Sequence, residues 1–264
     1  MHPIERLRWI ARTHDEATTS LAAEAAWTIA ELAAEEPAAV VTACRRLVEA
    51  HVTAGPMWWV AATLLAAPEP DRAARDAVDD LLADPSGDLL ADELNERLEG
   101  AAVLVVGCPA EIVLEAVCQL PSASVRVVAS EASRWAAVRG FAAVVAEASG
   151  WDFEEAPEAL EGAAVVLLEA LAAGPVGIVA APGSRSLVEA AREASVPVWA
   201  VVGAGRVLHP QLLDEMLQRA GDSVDLVLPG VIEAVIGPSG LGTPAEGLGR
   251  QCCPPAPELL IRAG

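Results

Sequence analysis

The chain carries two rhythms. Up to about residue 98 its apolar positions recur at helical spacing. Leu7, Ile10 and Ala11 open the pattern, and Leu21, Ala22, Ala25, Trp27, Ile29 and Leu32 continue it in a long second segment. Pro37 suits the first turn of a third helix reaching about His51, because its missing N–H would be unbonded there anyway. Gly55-Pro56 separates that helix from one carrying Met57, Trp58, Val60, Leu64 and Leu65, in which Trp58 and Trp59 read as core. Pro68-Glu69-Pro70 precedes a helix with Ala74, Val78, Leu81 and Leu82, and the turn Pro85-Ser86-Gly87 leads into an acidic segment. The expectation is a bundle of five or six helices over residues 1–98.

From residue 101 the pattern becomes short, Val-rich apolar runs separated by stretches of helical length. The runs are 101–106, 125–129, 164–168, 176–180 and 198–202, with a weaker one at 225–228. Such runs are how strands buried on both faces of a parallel sheet read. Residues 99–264 are therefore expected to form a Rossmann-like doubly wound parallel sheet, and the fold class is α/β. In such a sheet ligands lie outside the carboxyl ends of the strands, so the residues just after each run are where chemistry is expected.

Composition narrows that chemistry. A net charge of −21 repels nucleic acid and anionic membrane. All 17 basic residues are Arg, so a Walker-type phosphate loop and Schiff-base chemistry, both of which need Lys, are excluded. The five Cys show no CxxC pair and the four His no HExxH, which argues for no metal and no disulfide framework. No stretch reaches the length of a membrane span, and no basic-then-apolar leader is seen, so a cytoplasmic setting is expected.

The run ends offer four places of interest. Cys108, followed by Pro109, reads as the cap of a helix, where a thiol's pKa would fall, although its spacing alone fits better a small residue in a tight turn. Glu131 and Arg134 follow the second run, and Glu131 could bond a ligand hydroxyl or cap its helix. Glu169 ends five apolar residues; a carboxylate there must be paired, hydrated or functional, which makes it the leading acid/base residue. Gly183, Ser184 and Arg185 could seat a phosphate, although Ser186–Glu189 also reads as a capping box that needs no ligand. Gly203-Ala204-Gly205 is a GxG fragment without its third glycine and carries no dinucleotide assignment.

Several of these segments, taken in order behind a helical bundle, resemble a known superfamily. They are Val103–Cys108, Val127–Glu131, Val165–Ala170, Gly177–Ser184 and Val196-Pro197-Val198. The closing series adds Asp225, Pro229, Ile232, Ile236, Gly240 and Pro244 within about twenty residues. The superfamily comprises the alpha, beta and delta subunits of eukaryotic translation initiation factor 2B, archaeal ribose-1,5-bisphosphate isomerases and methylthioribose-1-phosphate isomerases. The resemblance implies that Cys108 and Glu169 fall on the isomerases' catalytic Cys and acid. The family's substrate-binding Asn-Lys becomes Ala180-Ala181, its Arg-Pro becomes Ala132-Ser133, and its Thr-His becomes Val106-Gly107. Two functions follow as expectations. One is a binding or regulatory protein that self-associates as a dimer or higher oligomer and senses a small phosphorylated metabolite, without a cofactor. The alternative is a diverged aldose–ketose isomerase, an intramolecular oxidoreductase, using Cys108 and Glu169. Residues 249–264 read as a tail that is mobile or covered by a partner.

Overall fold

The computed structural model describes residues 2–13, 17–98, 102–250 and 253–262. Six helices come first: α1 (Pro3–Ile10), α2 (Thr18–Glu35), α3 (Val40–Ala50), α4 (Gly55–Ala66), α5 (Pro70–Leu82) and α6 (Ser86–Arg97). α2 is the centre of this layer. Leu21, Ala22, Ala25, Ala26, Ile29 and Leu32 give it a buried face that α1, α4 and α5 cover. Trp27, expected on that face, is 38% exposed, whereas Trp58 and Trp59 are buried as expected. Pro37 opens a single 3-10 turn leading into α3.

The alternating part follows as β1 (Val103–Gly107), α7 (Glu111–Val117), β2 (Ser124–Val128), α8 (Glu131–Ala142), β3 (Glu147–Trp151), α9 (Ala156–Ala159) and β4 (Val165–Glu169). It continues with β5 (Ala172–Gly174), β6 (Gly177–Ala180), α10 (Ser184–Glu193), β7 (Val198–Val201), α11 (Pro210–Ala220), β8 (Asp225–Val227), β9 (Ala234–Gly237), β10 (Gly240–Gly242) and α12 (Pro244–Leu248). Seven strands form one sheet in the order β10-β9-β7-β4-β1-β2-β3, parallel except for β10. Every residue of β4 and β7 is buried, which is why both read as unbroken apolar runs.

Two expected strands of that sheet lie elsewhere. β6 and β8 pair antiparallel with each other in a separate three-stranded sheet, β5-β6-β8. Gly174 faces Gly177 across a two-residue turn, too short for the crossover a parallel partner requires, so β5 and β6 form a hairpin. β3, β5, β9 and β10 go beyond the expected runs. β3 has no buried residue, and an edge strand of this kind carries little apolar signal.

The packing does not divide at residue 98. α6 buries Leu90, Ala91 and Leu94 in the core on one face of the large sheet, together with α7. α11 and the small sheet do the reverse: Leu212, Leu213, Met216, Ala172 and Val179 join the core of the helical layer. Residues 253–260 of the terminal segment are also packed. Cys253, Ala256 and Leu259 are buried in the helical core, Arg45 Nε donates to the Glu258 carbonyl at 2.7 Å, and Arg219 Nη2 donates to that of Leu259 at 2.6 Å. Cys252 lies outside the described residues.

Candidate functional site

β1 has β2 on one side and β4 on the other, so the chain reverses its direction of travel across the sheet between β1 and β4. In doubly wound sheets a switch point of this kind is where ligands bind. Val106 pairs with Leu167, so Cys108, just past the end of β1, and Glu169, the last residue of β4, lie at the same edge of adjacent strands. The two expected catalytic residues are thus neighbours, and the charge of Glu169 reaches the thiol.

Their surroundings are not those expected. α7 begins at Glu111 with Ala110 as its cap, and the Cys108–Pro109 peptide is cis, so Cys108 lies before the helix rather than capping it. Burial, followed by repulsion from Glu169, pushes the thiol up to about 11, the reverse of the lowering expected from sequence.

Glu169 is 2% exposed and each of its oxygens is engaged. Oε2 accepts from the N–H groups of Ile112 at 2.8 Å and Val113 at 3.2 Å, while Oε1 meets Arg206 Nη2 at 2.8 Å. Burial raises its pKa, opposed by Arg206 and the two N–H bonds. Arg206, 3% exposed, also donates Nη1 to the Ala170 carbonyl and stands 3.8 Å from Glu111 Oε2. Glu111 in turn accepts from the Thr18 N–H at 3.1 Å, so one chain of polar contacts runs from the first turn of α2 to the end of β4.

The turn after β7 aims Arg206 inward. Asp84 holds the Ala204 N–H at 2.7 Å. Gly205 has a φ of +71°, and a Cβ there would sit 2.9 Å from Leu81 and 3.2 Å from Trp59. Only glycine therefore lets the turn close under the helical layer. The GxG fragment that carries no dinucleotide assignment builds this turn. Arg206 was legible by the argument that singles out Glu169, since it too is a charge flanked by apolar residues, Val202 before it and Val207-Leu208 after it.

The expected phosphate seat is filled by the protein itself. α10 starts at Ser184 with Gly183 as its cap, so Ser186 lies inside the helix and the expected capping box does not form. Asp225 Oδ2 accepts from the N–H groups of Gly183 at 2.9 Å and Arg185 at 3.0 Å, placing a carboxylate where a phosphate oxygen would sit. Ser184 is buried, and Arg185 is exposed. Glu131 is exposed in the first turn of α8. Arg134 turns toward β3, with its guanidinium 5.6 Å from the Trp135 ring and 3.9 Å from Asp152. Ala180 is buried and carries no charge.

No family model and no curated protein matches this chain. Solved structures do. The translation initiation factor eIF-2B of Pyrococcus horikoshii OT3 superposes with a TM-score of 0.73 at 15% identity, over 93% of this chain and 98% of its own. The eIF2B beta subunit of Chaetomium thermophilum gives 0.69 at 13% identity, over 92% and 88%. The 5-methylthioribose 1-phosphate isomerase of P. horikoshii OT3 gives 0.62 at 14%, over 92% and 84%. The chain has the fold shared by these eIF2B and isomerase structures. On this eIF2B-like fold, Glu169 ends β4 with Arg206 paired to it, and Cys108 follows β1. Among the described residues no group of three or more His, Cys, Asp or Glu could hold a metal ion, and no helix is long and apolar enough to cross a membrane.

Proposed function

We propose that this protein is a non-catalytic binding and assembly protein on the eIF2B-like scaffold, self-associating in the cytoplasm and holding a small phosphorylated metabolite that it does not transform. The observation that carries this reading is the state of Glu169. An acid that shuttles protons must present a free oxygen to substrate, and here one oxygen is tied to Arg206 and the other to two backbone N–H groups. The neighbouring thiol, with a pKa of about 11, is protonated at neutral pH and cannot act as a base.

A second reading, the diverged aldose–ketose isomerase, is favoured by the adjacency of Cys108 and Glu169 at the switch point. It requires Arg206 to release Glu169 when substrate enters.

Self-association is supported by an apolar patch at the tip of the small sheet. Leu228 is 59% exposed, with Val176 and Val231 also exposed, and the β6–β8 pairing places the turn before β6 beside the end of β8. Of the apolar stretch 231–236, only Val231 belongs to this patch, because Ala234–Gly237 is an inner strand of the large sheet. Sedimentation at micromolar concentration is expected to give particles larger than the 27.2 kDa chain, reduced to single chains by Leu228→Glu. Single chains in the wild type would contradict the assembly part of the proposal. A thermal-shift screen of sugar phosphates and nucleoside monophosphates tests the binding part.

A further inference from the structure

The large sheet ends on one side at β3, which pairs with β2 alone, and no strand lies beyond it among the described residues. Its five residues keep a regular register with β2, whereas the outer strands β5, β8 and β10 have three residues each. One bond fixes the direction of its free groups. The Trp151 carbonyl accepts from the Ala129 N–H, so Trp151 turns its backbone groups toward β2. That direction alternates along a parallel strand: Glu147 and Ser149 also face β2, and Ala148 and Gly150 turn their N–H and C=O outward. Sheets blunt such an edge with Pro, Lys or a bulge, and β3 has none of these.

α8 runs beside this edge with an open face. Of its twelve residues only Phe141 is buried, and Trp135 is 52% exposed. Arg134 ties that indole to the end of β3. Its stem fills the space a Gly150 Cβ would take, and its guanidinium lies between the Trp135 ring and Asp152. Carboxylates flank the strand at both ends, Glu147 at its start and Asp152, Glu154 and Glu155 after it, against Arg134 and Arg139.

We propose that the β3 edge takes up an extended, basic segment of another protein as an added strand. This partner is distinct from the metabolite and from the Leu228 face, and the inference rests on neither. A strand supplies the hydrogen-bond partners that Ala148 and Gly150 lack within the sheet. Charge selects a basic one: the chain carries −21, Arg134 already lies on Asp152, and Glu154 is exposed beside the edge. Trp135 offers an arginine its ring face. A second copy of β3 would instead bring the same carboxylates against one another.

The test uses the full chain and a capped hexapeptide alternating valine and arginine, with affinity read by fluorescence anisotropy and amide exchange by NMR. The peptide is expected to slow exchange of the Ala148 and Gly150 amides about tenfold or more. Replacing its arginines by glutamate, or N-methylating every residue, should weaken it at least about tenfold; the N-methylated peptide tests the backbone bonds without altering the protein. Ala148→Pro removes an outward N–H and no bond of the sheet, and should weaken the arginine peptide about five- to tenfold at an unchanged melting temperature. Glu154→Lys should weaken it as well. No binding of the arginine peptide, or equal binding of either control peptide, would overturn the proposal. Protection of Ala148 and Gly150 that rises with protein concentration alone would overturn it too, by placing a second copy on the edge.

Discussion

Arg206 Nη2 lies 2.8 Å from Glu169 Oε1, and both side chains are sealed from solvent. Taking two charges out of water is costly, and their attraction offsets the cost only with good geometry and further hydrogen bonds. Here both are present, through Ile112, Val113 and the Ala170 carbonyl. The pair joins the turn after β7 to the end of β4, so this buried carboxylate holds the fold together.

Removing one member should therefore be severe. Arg206→Met is expected to cost about 3–5 kcal/mol at neutral pH by leaving Glu169 buried and unpaired. The sign of the pH dependence follows from the pKa. Glu169 is already raised above its ordinary 4.5 by burial, and loss of Arg206 raises it further. A group whose folded pKa is raised favours folding below its unfolded pKa and loses that contribution as pH rises through the folded value. The deficit of the variant against wild type should thus be smallest in acid and widen as pH rises past the wild type's own raised Glu169 pKa. Urea denaturation of both proteins across pH measures it, and a deficit that shrinks toward neutral pH would contradict the pairing.

The thiol offers an independent reading of the same site. With its pKa pushed up to about 11 by burial and by Glu169, Cys108 should alkylate slowly at pH 7, well behind the exposed Cys118. Its rate should climb tenfold per pH unit through pH 10. Peptide mass spectrometry after iodoacetamide pulses resolves the two cysteines. Cys108 reacting first at neutral pH would mean an activated thiolate.

At the start of α10, Asp225→Ala removes the acceptor of two backbone N–H groups and is expected to destabilise the protein by about 1–2 kcal/mol. Because the carboxylate blocks the helix end, inorganic phosphate should raise the melting temperature of the variant more than that of wild type. Equal melting temperatures without phosphate would show that Asp225 does not cap this helix.

Much of the architecture was legible because burial leaves a period. The helical spacing around Leu21–Leu32 and the unbroken runs of β4 and β7 each reflect which faces are covered. What the pattern could not carry was partnership. An apolar run such as Gly177–Ala180 reads alike in a parallel sheet and in a hairpin, and the two-residue turn before it decides the matter. The site shows the same limit. Glu169 was identifiable as a carboxylate needing a partner, but the partner stands 37 residues away on a turn whose glycines suggested something else. Gly183 marked a helix start, whereas the acid that occupies it comes from Asp225, on a strand that joins β6 only in three dimensions.

The most direct measurement is turnover of 5-methylthioribose 1-phosphate and ribose 1,5-bisphosphate by purified wild type and Cys108→Ser. With Glu169 held by Arg206 and the thiol protonated, wild type is expected to give no ketose above the rate without protein, and the substitution to change nothing. Ketose formation by wild type that vanishes in Cys108→Ser would contradict the account, since it would require Arg206 to leave Glu169 and free the pair for catalysis.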